Sequence, residues 1–157
     1  MTPTMHGYRV REESFALAPR RSLEKGEVMS TAYGYLLVFL GAGLGGVLRH
    51  FTNLVTQRAL GPDLPVSTLV VNIVGSLSLG AIAGYFALRG HGSQGLQLFL
   101  TTGILGGFTT FSAFSLEAAL LWERGQVLGC VAFVGASVLL SIAAVFAGLA
   151  LVRGQAV

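Results

Sequence analysis

Four stretches of this chain carry no Asp, Glu, Lys or Arg, and each is long enough to cross a lipid bilayer. There are 21 such residues between Glu27 and Arg49, 25 between Asp63 and Arg89, 27 between Arg89 and Glu117, and 28 between Arg124 and Arg153. A helix needs about 20 mostly apolar residues to cover the hydrocarbon core. Lipid offers backbone groups no water to bond, so helices that satisfy their own peptides are the natural spanning element. A transmembrane β-barrel would show short alternating segments instead, and these runs do not alternate. Spans are expected near Tyr33–Thr52, Val66–Leu88, Gly95–Trp122 and Val127–Val152. The expected class is an all-α integral membrane protein with four transmembrane helices.

Composition supports that class. Only 11% of the 157 residues are charged and 53% are hydrophobic, whereas a soluble domain carries roughly 25% charged residues. The deficit excludes disorder, a nucleic-acid-binding tail protein and an ordinary cytosolic enzyme. The one cysteine, Cys130, lies in an apolar run, so no disulfide framework or thiolate metal site forms within one chain.

Residues 1–28 differ in kind. Arg9, Arg11, Arg20, Arg21 and Lys25 alternate with Glu12, Glu13, Glu24 and Glu27, without helical periodicity. No apolar core precedes a cleavage site, so the segment is not read as a secretory signal. It is read as a polar extension to a four-helix transmembrane domain of residues 29–157. Met29 offers an alternative start, because Met-Ser-Thr-Ala followed at once by a span is an ordinary membrane-protein N-terminus.

Small residues recur every four positions, with Gly41 and Gly45 in the first span and Ser76, Gly80 and Gly84 in the second. That spacing lets helix backbones approach closely in lipid, and packing is the preferred reading. The third span is the unusual one, running Gly103-Ile104-Leu105-Gly106-Gly107-Phe108-Thr109-Thr110-Phe111-Ser112. Adjacent glycines followed by hydroxyls should weaken the helical ladder. Broken helices at membrane depth occur where they are buried in protein or line a polar cavity, and often mark ion sites. Freed carbonyls would suit a hard cation and freed N–H groups an anion.

Other residues stay open between two roles. Phe111 and Phe114 share a helical face, and their positive ring edges can meet an anion or a neighbouring side chain. Asn72 can donate two hydrogen bonds to an anion or bond an adjacent helix. Gly129, Phe133, Ser137 and Ser141 form a stripe with a hydroxyl-bearing face in the fourth span. No metalloprotease, nucleophile-elbow or phosphate-loop motif is present, and no Asp lies within a span. Glu117 and Glu123 are both read as lying near the end of the third span. A proton-coupled transporter would place an ionisable group deep in the membrane, so a passive, non-enzymatic pathway fits better.

Taken together, these residues resemble the Fluc (CrcB) family of fluoride ion channels, from about Gly41 to Gly148. The most specific stretch is Gly106-Gly107-Phe108-Thr109-Thr110-Phe111-Ser112-Ala113-Phe114-Ser115-Leu116-Glu117, similar to the family's GGxTTFSTFSxE pattern. Gly41 to Arg49 and Thr68 to Gly75 support it. The resemblance implies a passive fluoride channel in a bacterial plasma or inner membrane. It also implies an antiparallel, dual-topology homodimer with two pores. A structural sodium ion would sit at the two-fold axis, held by backbone carbonyls of Gly106 and Thr109. Asn72, Phe111, Ser112, Phe114 and Ser137 would line the fluoride pathway, with Arg49 near a pore mouth. Fluoride, a second copy of the chain and lipid are the implied partners.

Departures from the pattern remove hydroxyls. Ala113 stands where Thr or Ser is usual, and Phe133 where Tyr is usual. His50, Ser67 and Leu77 replace Tyr, Gly and Phe. The rival reading is a small four-span, dual-topology drug or cation antiporter. It is disfavoured by the lack of an acidic residue deep in the first span.

Overall fold

Among the described residues each uncharged run is mainly helical, because lipid offers the backbone no water to bond. The computed structural model describes residues 25–61, 65–89 and 93–154, of which 25–30 and 89 as backbone only. The first helix, α1 (Lys25–Leu60), is followed by α2 (Val66–Arg89). The third span is built in pieces: α3 (Gln94–Leu98), a π-helical stretch (Phe99–Leu105), α4 (Gly106–Phe108) and α5 (Phe111–Glu123). The last helix is α6 (Val127–Arg153). Spanning segments of sufficient length and apolarity are Thr31–Leu60, Val66–Leu88, Gln94–Glu123 and Val127–Arg153, four among the described residues.

The first span outruns its expected end at Thr52. Thr52 and Thr56 turn their hydroxyls back onto the carbonyls of Leu48 and Thr52, at 2.9 and 2.8 Å, so polar residues continue the helix to Leu60. Gly61 then ends it with a positive φ of 83°, and Gly125 does the same after α5 at 73°, a conformation that favours glycine. At the other end α1 starts at Lys25, inside the expected 1–28 extension. The rest of that extension lies outside the described residues.

Glycine decides which helices touch. α2 packs most extensively on α6, and α1 on the π-helical stretch and α4. A Cβ on Gly80 would run into the backbone of Val145, and one on Gly148 into the Leu77 carbonyl. On the other side, Gly41 abuts Gly103 and Phe99, Gly45 abuts Ile104 and Phe108, and Gly107 abuts Ala42. The packing role expected for Gly41, Gly45 and Gly80 is met. Gly84 makes only ordinary van der Waals contact, with the Val152 Cβ 3.4 Å from its would-be Cβ.

The interior is thin. Val71 is the largest fully buried side chain among the described residues, with Leu105, Leu121, Phe133 and Ala144 also buried. Large apolar side chains such as Phe39, Leu128, Leu139 and Phe146 point outward. A surface this apolar is untenable in water and suits lipid or a second chain.

Candidate functional site

The break in the third span sets the geometry. Within the stretch of glycines and hydroxyls expected to weaken the ladder, Gly106 and Gly107 are themselves helical as part of α4. Their lack of side chains is used instead where Gly107 meets the Ala42 backbone. The ladder stops two residues later. Thr109 takes φ −75° and ψ 156°, and Thr110 takes φ −151° and ψ 121°. β-branched residues tolerate extended backbone well, and Thr110 then caps α5 by accepting from the Ala113 N–H at 3.2 Å. N-caps of this kind favour Ser, Thr, Asn and Asp.

Asn72, on α2, reaches across to this point. Its Oδ1 accepts from the Thr110 N–H at 2.9 Å, and its Nδ2 donates to the Thr110 carbonyl at 3.1 Å. One turn on, Gly75 leaves the space filled by the Thr109 methyl, which a Cβ there would strike. Asn72 therefore bonds a neighbouring helix, and one amide hydrogen rather than two remains for an anion.

The break also redirects the regular i to i−4 bonds. In a continuous helix Thr110 N–H would donate to Gly106 and Ala113 N–H to Thr109. Here they donate to Asn72 Oδ1 and Thr110 Oγ1. Among the described residues no cluster of three His, Cys, Asp or Glu side chains could hold a metal. Backbone carbonyls are thus the donors on offer to a hard cation, and those of Gly106 and Thr109 have lost their helical partners.

Beyond the break, hydroxyls and rings line up. Ser112 Oγ lies 3.2 Å from Thr110 Oγ1. Phe111 and Phe114 are 5.3 Å apart between ring centroids, and Phe114 and Phe133 5.4 Å, each pair tilted. The row runs outward, from buried Phe133 through Phe114 to Phe111, which is 78% exposed. One turn along α6 from Phe133, Ser137 is buried and its hydroxyl has no bonding partner; the Ser141 hydroxyl has none either.

Arg49 sits apart from the rings, lining a polar cavity of about 240 Å³ with Asn53, Thr68, Thr110, Ala113 and Glu117. Thr68 donates to Glu117 Oε1 at 2.9 Å, while Glu117 Oε2 is buried without a partner. Glu117 is therefore not an end-of-span surface acid like Glu123; it faces α2, six residues inside the end of α5. Sequence reasoning missed it as a cavity residue, together with Thr68 and Asn53. A shared spacing was the available signal: Asn53 follows Arg49 by four, Asn72 follows Thr68 by four, and Glu117 follows Thr110 by seven, all same-face intervals on a helix.

Residues 36–149 match the profile of the family described as CrcB-like protein, Camphor Resistance (CrcB). The chain is 60% identical over 119 residues to the fluoride-specific ion channel FluC of Rhodopseudomonas palustris (strain BisB5), covering 76% of this chain and 96% of that protein. It is 56% identical over 118 residues to the fluoride-specific ion channel FluC of Methylobacterium nodulans, covering 75% and 94%. With fluoride-specific ion channel FluC 2 of Nitrobacter hamburgensis the identity is 51% over 119 residues, covering 76% and 96%.

Proposed function

The chain belongs to the CrcB-like family, and from that premise we propose that it is a passive, fluoride-selective channel that exports fluoride from a bacterial cytoplasm. It is a multi-pass membrane protein of four spans. The observation that carries the proposal is the row of rings ending at the Ser137 hydroxyl, which is buried with nothing to bond. Fluoride is small and strongly hydrated, so a pathway must replace its water with closely placed donors, because burying an unsatisfied ion costs many kcal/mol. Ring edges of Phe111 and Phe114, the remaining Asn72 amide hydrogen and the Ser112 and Ser137 hydroxyls are neutral donors. They can hold the ion without trapping it. The antiporter alternative has no support among the relatives.

Two copies complete the assembly in this proposal. Phe111 turns its ring outward from the single chain, so an antiparallel partner would close a pathway on that side. The carbonyls of Gly106 and Thr109 fit a sodium ion between the protomers, since both have lost their helical donors. Such an ion, when bound, supplies a fixed positive charge that ties the two broken helices together. Arg49 and the polar cavity beside it form a pore mouth. Fluoride efflux from liposomes holding the purified protein, followed with an electrode, tests the proposal. Rapid electrogenic efflux that excludes chloride is expected, and folded protein without efflux would end it.

A further inference from the structure

We infer that Asn72 is a positioning residue for the break in the third span, gripping Thr110 by its backbone N–H and carbonyl so that the Gly106 and Thr109 carbonyls stay out of the helical ladder. The cation part of this inference rests on the proposed channel; the clamp itself does not.

The grip is two-sided. Asn72 Oδ1 takes the Thr110 N–H at 2.9 Å, and Asn72 Nδ2 gives to the Thr110 carbonyl at 3.1 Å. A single amide that bonds both backbone groups of one residue holds the two peptides flanking Thr110, one by its N–H and the next by its carbonyl. The N–H it takes is the one that would otherwise close the ladder onto Gly106. With its backbone so held, Thr110 turns its hydroxyl to Ala113 N–H at 3.2 Å, which removes the donor from Thr109 in turn. The α2 helix is built for this contact. Val71 beside Asn72 is fully buried, and Gly75 clears the space for Thr109. Further along, Gly80 and Gly148 lock α2 to α6, so the amide is presented from a rigid helix pair. Asn72 thus accounts for the freed Gly106 carbonyl directly and, through Thr110, for that of Thr109.

The test compares Asn72→Ala and Asn72→Asp with the wild-type protein, purified in detergent. Hydrogen–deuterium exchange follows the Thr110 amide. Thermal unfolding at graded sodium, with a large organic cation as replacement, gives the sodium midpoint. Asn72→Ala should speed Thr110 exchange and raise the sodium midpoint, each by at least about tenfold, since it removes two hydrogen bonds. Asn72→Asp keeps the acceptor, so it should restore slow exchange and a midpoint no weaker than wild type. Its fluoride flux should nevertheless stay blocked, because the donor is gone and a carboxylate repels the anion. Unchanged Thr110 exchange in Asn72→Ala overturns the clamp, and flux lost alongside it would make Asn72 a fluoride donor only; fast exchange with a wild-type sodium midpoint overturns the link from the clamp to the cation. Should the alanine variant fail to fold, fast exchange in folded Asn72→Asp overturns it equally. A wild-type protein indifferent to sodium overturns the cation reading of the channel, while amide exchange still decides the clamp.

Discussion

Ser137 buries a hydroxyl with no partner, a group whose desolvation alone costs about 1–3 kcal/mol. A residue kept only for packing would be as well served by alanine. Ser137→Ala should therefore leave the melting temperature unchanged or raised while lowering fluoride flux per dimer about tenfold, the loss of one charge-assisted donor. A stability loss with normal flux would return Ser137 to the core. The rings divide in the same way. Phe111→Ile or Phe114→Ile keeps apolar volume but removes the positive ring edge, so flux should fall strongly while the protein stays folded, with an unchanged elution volume on a sizing column. Intact flux per dimer would mean that the 5.3 and 5.4 Å ring contacts are packing only. Of these residues the rings and serines were legible in the sequence, through their shared faces. Glu117 was not, because its spacing from Thr110 gains meaning only once Thr68 is known to lie opposite, 2.9 Å away.

At the scale of helices, the uncharged runs made all four spans legible, since nothing but helix satisfies a peptide in lipid. The break in the third span was legible too, in glycines followed by hydroxyls, but not the residues within that stretch at which the chain parts. Gly106-Gly107 has the weaker intrinsic helix propensity, yet contact with Ala42 keeps it helical. The chain parts instead at Thr109 and Thr110, where α2 offers Asn72 as an alternative partner. Tertiary contact overrode local preference, and one sequence cannot display the contact. The same close approaches make a prediction for packing. Gly45→Ala, Gly80→Ala or Gly148→Ala forces a methyl against a facing backbone that cannot rotate away. Overpacking of this sort costs typically 1–3 kcal/mol, at times more, so lower yields of folded protein and earlier thermal unfolding are expected. Gly84→Ala, with only ordinary contacts at 3.4 Å and beyond, should be close to neutral. Equal losses at all four positions would refute this ranking.

For the whole molecule, flanking charge decides how it inserts. Short flanks rich in Lys and Arg remain cytoplasmic. With four spans, Arg89 and Arg153 lie on the side of the N-terminus, and Arg49, Arg58 and Arg124 on the other. A chain begun at Met29 is thus nearly balanced and should insert both ways, which an antiparallel homodimer requires. A chain begun at Met1 adds Arg9, Arg11, Arg20, Arg21 and Lys25 to the first side, and should be skewed with its N-terminus in the cytoplasm. Reporter fusions at the C-terminus, read for each start, measure this; one-sided insertion of the Met29 form would require a second, oppositely inserted chain. The central claim is selective, passive conduction, and the most direct measurement is fluoride release from liposomes loaded with fluoride and chloride together. The account predicts fast fluoride efflux that responds to membrane voltage, with chloride retained. Joint release of both ions, or fluoride movement that depends on a proton gradient instead of voltage, would contradict it.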